Sequence, residues 1–150
     1  MKTYTFLIFI IFLGFNMTGI AQDFSLDQVK SEIEEISSKE QEAFKNGDCE
    51  TVMELMSDNI TFYANGTPSP PKAMIEKFCN NIPRPFPELN DGDLKIYPLS
   101  SNSAYSVKTL EYHKDENTRI RKIVTKIWNR IEGNWKMAHL QSTVKEILIK

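Results

Sequence analysis

The sequence predicts an α+β domain with helices packed on one face of a curved sheet. Three observations carry that prediction. Behind a capping signal at residue 25, apolar residues recur at helical spacing. From Leu94 onward, alternating β-branched and aromatic runs are separated by turn residues. The longest run, Arg119 to Lys145, is divided by Glu132-Gly133-Asn134, where Gly and Asn tolerate the positive φ of a tight hairpin. Helices first and a run of antiparallel strands afterwards is the order of an α+β fold.

Taken in order, the chain opens with Lys2, an apolar run from about Phe6 to Phe15, and small residues ending Gly19-Ile20-Ala21. That is the layout of a secretory leader. The run falls short of the roughly 20 apolar residues of a membrane span. The expectation is an exported, periplasmic or secreted protein with no stable membrane insertion once residues 1–21 are cut. Removing them takes one lysine and no acid from a chain of net charge −2, leaving a single 22–150 domain of charge −3. That charge excludes the strong basicity of a nucleic-acid binder. The local cluster Arg119, Arg121, Lys122, Lys126 and Arg130 reads as a solvated sheet face.

Ser25-Leu26-Asp27-Gln28 has the form of a capping box, and Val29, Ile33, Ile36, Ala43 and Phe44 follow on one helical face. The helix runs from about Leu26 to Asn46, and Gly47 stops it. Asp48 caps a short second helix whose Val52, Met53, Leu55 and Met56 pack inward. Ile60 to Ala64 reads as a strand ended by Asn65-Gly66, and Ser69-Pro70-Pro71 starts a third helix. Pro83, Pro85 and Pro87 make one long loop to about Asp93. Leu94 to Leu99 and Ala104 to His113 are strands, and the hairpin completes the sheet. Cys49 and Cys79 can bridge in an oxidising compartment, and each also sits where a helix would bury a small apolar residue.

In the last strand, alternation puts Trp135, Met137, His139, Gln141 and Thr143 on one face and Lys136, Ala138, Leu140 and Ser142 on the other. The first face turns from apolar to polar at His139, as a strand does when it lines a cavity or satisfies its polar groups internally. An inward imidazole can move protons near neutral pH or hold a ligand carbonyl. A core histidine satisfied by backbone or tyrosine fits the position too. Gln141 can donate or accept but cannot act as a base. Trp135 reads as core, while Trp128 fits either core or pocket wall. Glu111 shares a face with Val107, Thr109 and His113; inward, burial would raise its pKa and make it a general base, and outward it is a surface acid. His113 and His139 are the only histidines, and nothing at ligand spacing completes a metal set. Phosphate-binding glycine loops, a nucleophile elbow and a CxxC pair are absent, so neither metal nor cofactor is expected.

The residues from Asn46 to Gly66, N-G-D-C-E-T-V-M-E-L-M-S-D-N-I-T-F-Y-A-N-G, and the run W-x-R-x-x-G-x-W-K-x-x-H from Trp128 to His139 resemble the nuclear transport factor 2-like superfamily. Within it the chain is most similar to SnoaL-like proteins and to the association domain of calcium/calmodulin-dependent kinase II. The resemblance covers about Leu26 to Glu146. It implies a cone-shaped shell, a strongly curved antiparallel sheet wrapped on about three N-terminal helices and open at one end to a pocket. Relatives use that shell for isomerase, cyclase or dehydratase chemistry, for small-ligand binding, or for self-association, and fold does not choose among them. The resemblance also makes Tyr63 a candidate pocket position, though a core aromatic whose hydroxyl reaches the surface fits there too. Gln141 stands where many relatives carry a second histidine. The acid pair of the ketosteroid isomerases of this fold has no counterpart beyond Glu111.

Three functional readings follow. The first is a conical pocket for a small, partly apolar molecule, lined by Tyr63, Trp128, His139 and Gln141. The second is an isomerase-, cyclase- or dehydratase-type enzyme with His139 or Glu111 as base. The third is a homodimeric interaction module that pairs through Lys136, Ala138 and Leu140.

Overall fold

The computed structural model describes residues 25–69, 72–84 and 92–149. The predicted leader, Pro70-Pro71 and most of the proline-rich loop lie outside the described residues.

Helix α1 spans Leu26–Asn46; Ser25 caps it by accepting from the Gln28 amide, and Gly47 ends it at φ 81°. That left-handed conformation costs an L-residue roughly 1–2 kcal/mol, which is why the stop is glycine. Asp48 accepts from the Thr51 amide and caps α2, Cys49–Glu54. Strand β1 is Met56–Ala64, longer at its start than the β-branched run suggests, and Asn65-Gly66, both at positive φ, turn it into a two-residue strand β2, Thr67–Pro68. Helix α3 is Lys72–Asn81. Strands β3 (Leu94–Ser100), β4 (Ser103–His113), β5 (Thr118–Ile131) and β6 (Asn134–Leu148) follow. At the β5–β6 turn the positive φ falls on Glu132 and Gly133, and Asn134 already belongs to β6.

The sheet order is β2-β1-β6-β5-β4-β3. All neighbours are antiparallel except β1 and β6, which pair in parallel, so the sheet is mixed rather than wholly antiparallel. The expected run of sequential hairpins misses this because β1 is joined to β6 only through space.

One side of the sheet holds the core. Val29 and Ile33 of α1 pack on Ile96, Ala104, Trp128, Trp135 and Met137, and a second cluster of Ala43, Val52 and Met56 lies against Ile60 and Ile75. Cys49 and Cys79 form a disulfide that ties α2 to α3. Beside it Arg84 donates to the Phe44 and Cys79 carbonyls, so one guanidinium satisfies carbonyls near the C-terminal ends of α1 and α3.

The alternation in β6 does not run unbroken. Ile127 pairs with His139 and Trp128 with Met137, leaving Ala138 as an extra residue on β6. This β-bulge advances the pleat by one residue, and every side chain beyond it changes face. Leu140 packs against the core and Ser142 is buried, on the same side as Trp135 and Met137. His139 and Gln141 point to the opposite side.

Candidate functional site

The side of the sheet away from the helices is built in registered rows. Direct cross-strand partners share a face, so Tyr97, Tyr105, Ile127, His139 and Thr61 line up across five strands. Lys95, Val107, Thr125, Gln141 and Tyr63 form the next row, and Thr109, Ile123 and Thr143 a third. Among the described residues no helix packs on this face, and Tyr63, Tyr97 and Ile123 remain about 40% exposed. Tyr97 and Tyr105 stack with ring centroids 4.6 Å apart. The Thr61 hydroxyl lies 2.7 Å from His139 Nδ1, and the Tyr63 ring is tilted 6.0 Å from the imidazole. These contacts tie β1 to β6 and orient the imidazole along the face rather than into a cavity.

The predicted pocket residues are therefore not brought together. Tyr63, His139 and Gln141 share the helix-free face. Trp128 lies on the other side, fully buried, donating its indole N–H to Ser106 Oγ at 3.0 Å. The described cavities lie elsewhere. One of about 680 Å³ runs between α2 and α3 past Asp48, Glu50, Lys72 and Glu76, and one of about 400 Å³ lies between α1 and the β5–β6 turn beside Glu32 and Trp135. None of Tyr63, Trp128, His139 and Gln141 lines either cavity.

The expected dimer face is likewise displaced. Leu140 faces the helices, and Lys136 donates to the Glu54 carbonyl, so Lys136, Ala138 and Leu140 do not form one outer surface. The physical reason is the same bulge: Ala138 sits at the phase change. A legible signal was present, since the large apolar residues fall at 135, 137 and 140, a spacing that breaks the period of two.

Glu111 lies on the helix-free face, ion-paired with Arg119 at 3.2 Å and hydrogen-bonded to Arg121 at 2.5 Å. The Arg121 hydrogen bond, with Arg119 beside it, holds its carboxyl below the usual carboxylate range. The group is ionised and anchored, the opposite of a buried base with a raised pKa. The basic cluster also divides. Arg119 and Arg121 are on this face, whereas Lys126 turns toward α1 and pairs with Glu40 at 2.6 Å. Arg130 turns the same way, pairing with Glu32 and stacking on Trp135 at 4.6 Å. Among the described residues no group of His, Cys, Asp or Glu is placed to hold a metal, and no helix is long and apolar enough to cross a membrane.

No protein-family model matches the chain, and no curated protein matches it. Solved structures do. A nuclear transport factor 2-like protein of unknown function from Shewanella baltica OS155 superposes with a TM-score of 0.66 at 16% identity, covering 82% of this chain and 98% of that one. A second from Shewanella oneidensis MR-1 gives 0.62 at 17% identity, covering 77% and 98%. The association domain of C. elegans calcium/calmodulin-dependent kinase II gives 0.63 at 16% identity, covering 77% and 95%. The fold is thus the nuclear transport factor 2-like fold, an open mixed sheet with N-terminal helices on one side.

Proposed function

We propose that the protein is an exported, self-associating domain whose helix-free sheet face pairs with the same face of a second copy. The carrying observation is that face: three registered rows mixing tyrosine, isoleucine, valine, threonine and histidine with Lys95 and Gln141, two of the rows crossing five strands, and no described helix packed on it. Tyrosine-rich surfaces of this kind, apolar at the centre and able to hydrogen-bond, are those that interfaces use. Five strands about 4.8 Å apart and roughly ten residues long give a face of roughly 800 Å². A standard interface buries about that much from each partner. The likeness to a domain named for association supports the reading. The leader-like start and the Cys49–Cys79 bridge support export, since disulfides persist in oxidising compartments.

The test is mass in solution. Light scattering of the purified protein should give twice the chain mass. Ile127→Glu, at the middle of the first row, should give the single-chain mass with an unchanged circular dichroism spectrum. A wild type that stays monomeric at every concentration would end this reading. For export, the intact mass of protein recovered outside the cytoplasm should begin at Gln22.

A further inference from the structure

The two halves of the Cys49–Cys79 bridge stand in unlike surroundings. Cys79 is fully enclosed and is the one buried residue of α3. Cys49 keeps a small exposure and lines the cavity of about 680 Å³ between α2 and α3, which Cys79 does not line. One end of the disulfide is therefore open to an incoming molecule and the other is closed.

The closed end holds a cation. Arg84 Nη2 lies 3.8 Å from Cys79 Sγ. The same guanidinium donates to the carbonyls of Phe44, Ile82 and Cys79 at 3.0–3.3 Å, which fixes it beside the sulfur before any reaction begins. An arginine stays charged at every working pH. Thiol–disulfide exchange is fast where the attacked sulfur is accessible and the departing sulfur leaves as a stabilised thiolate. A neighbouring guanidinium supplies that stabilisation. Access and charge thus select the same direction, attack at Cys49 and departure of Cys79. Along the cavity Asp48, Glu50, Glu54 and Glu76 outnumber Lys72, which is itself paired with Asp58 at 3.0 Å. Such a mouth disfavours a thiol that carries negative charge of its own.

We propose that Cys49 is a thiol-exchange site for a dithiol reductant bearing positive or no charge at its reactive end. The reductant's thiolate attacks Cys49 Sγ, the Cys49–Cys79 bond breaks, and its electron pair leaves with Cys79 as a thiolate beside Arg84. The reductant's second thiolate then attacks its own partner sulfur in the mixed disulfide and releases Cys49 as a thiolate. The reductant ends as a disulfide, its thiol protons pass to the two cysteines, and α2 and α3 lose their covalent tie. The cavity lies among the helices, away from the self-association face, and its chemistry does not depend on that reading.

The experiment uses the oxidised protein and three monothiol probes, cysteamine, mercaptoethanol and thioglycolate, at equal thiolate concentration and constant ionic strength. Samples are quenched with iodoacetamide and mapped by peptide mass spectrometry. The expected result is a mixed disulfide on Cys49 and an alkylated Cys79, formed fastest with cationic cysteamine and slowest with anionic thioglycolate. Urea below the unfolding transition should leave the rate unchanged, as it does when the native fold reacts. Arg84→Met should react roughly tenfold more slowly, having lost the charge beside the leaving sulfur. Arg84→Lys, which keeps a charge, should retain more of the rate. Loss of the carbonyl contacts alone would loosen the ends of α1 and α3 and speed the reaction, so slowing reads the charge. Adducts on Cys79 or on both cysteines alike, a rate that climbs steeply with sub-transition urea, thioglycolate as the fastest probe, or an unchanged or faster Arg84→Met would each overturn the proposal.

Discussion

Glu40→Gln is the most informative single substitution in the interior. The Glu40–Lys126 side chains are only 12% and 16% exposed, and their charged atoms are 2.6 Å apart. Removing the carboxylate charge leaves the Lys126 ammonium beside Lys122, whose charged form burial already disfavours. Breaking a buried ion pair from one side costs about 3–5 kcal/mol. Residual solvent contact places this pair near the lower end, at about 3 kcal/mol. For a domain of this length that is a fall in melting temperature of about 6–12 °C. The assay is urea unfolding with the disulfide intact, followed by tryptophan fluorescence, because buried Trp128 lies next to the pair. The double variant Glu40→Gln/Lys126→Met should recover most of the loss. A loss below about 1 kcal/mol in the single variant would mean the pair behaves as a screened surface contact. The reasoning about an excess of positive charge on the helix-facing side of β5 would then fail with it.

Other outcomes follow from the same structure. Reducing the Cys49–Cys79 bridge, which closes a loop of 30 residues, should cost about 3–4 kcal/mol in urea unfolding. Gly47→Ala forces an L-residue to φ 81° and sets its Cβ 3.2 Å from the Arg84 guanidinium, so a loss of at least about 1–2 kcal/mol is expected; an unchanged midpoint would contradict the cap. Glu32 is held below its ordinary pKa of 4.5, chiefly by the Trp135 indole N–H, with Gln28 and Arg130 helping. A lowered folded-state pKa stabilises above the unfolded value and is lost as pH falls through the folded one. Wild type should therefore weaken below pH 4.5 more steeply than Glu32→Gln in acid titrations. Lys122 has the opposite sign: its lowered pKa penalises the fold while it is protonated, and the penalty is relieved as pH rises from that value toward 10.5. The stability gap between Lys122→Met and wild type should shrink over that alkaline range.

The helical half of the fold was legible because caps act locally. Ser25, Gly47 and Asp48 satisfy or terminate backbone groups within four residues of themselves, and their residue types announce it. The sheet was legible as a set of strands but not as a set of faces. A period of two carries no memory of an inserted residue, so one bulge at Ala138 exchanged the assignments of His139 and Gln141 with those of Leu140 and Ser142. Parallel pairing of β1 with β6 leaves no local trace, since the partners lie about 80 residues apart. The helix-facing placement of Lys122 and Lys126 was not legible either. Their alternation with Arg119 and Arg121 looks like one solvated cluster until the parity of β5 is fixed by Trp128.

The position of β6 has a consequence for the order in which the molecule can assemble. It is the last of the described strands in sequence, yet it lies inside the sheet, with β1 on one side and β5 on the other. During synthesis β1 emerges early and has only the two-residue β2 to pair with until residues 134–148 appear. The helices and the β3–β5 meander can form in sequence, but the halves of the sheet stay unjoined until β6 has been made. Truncation within β6 would then do more than fray an end. It would release β1 and part the sheet along its middle.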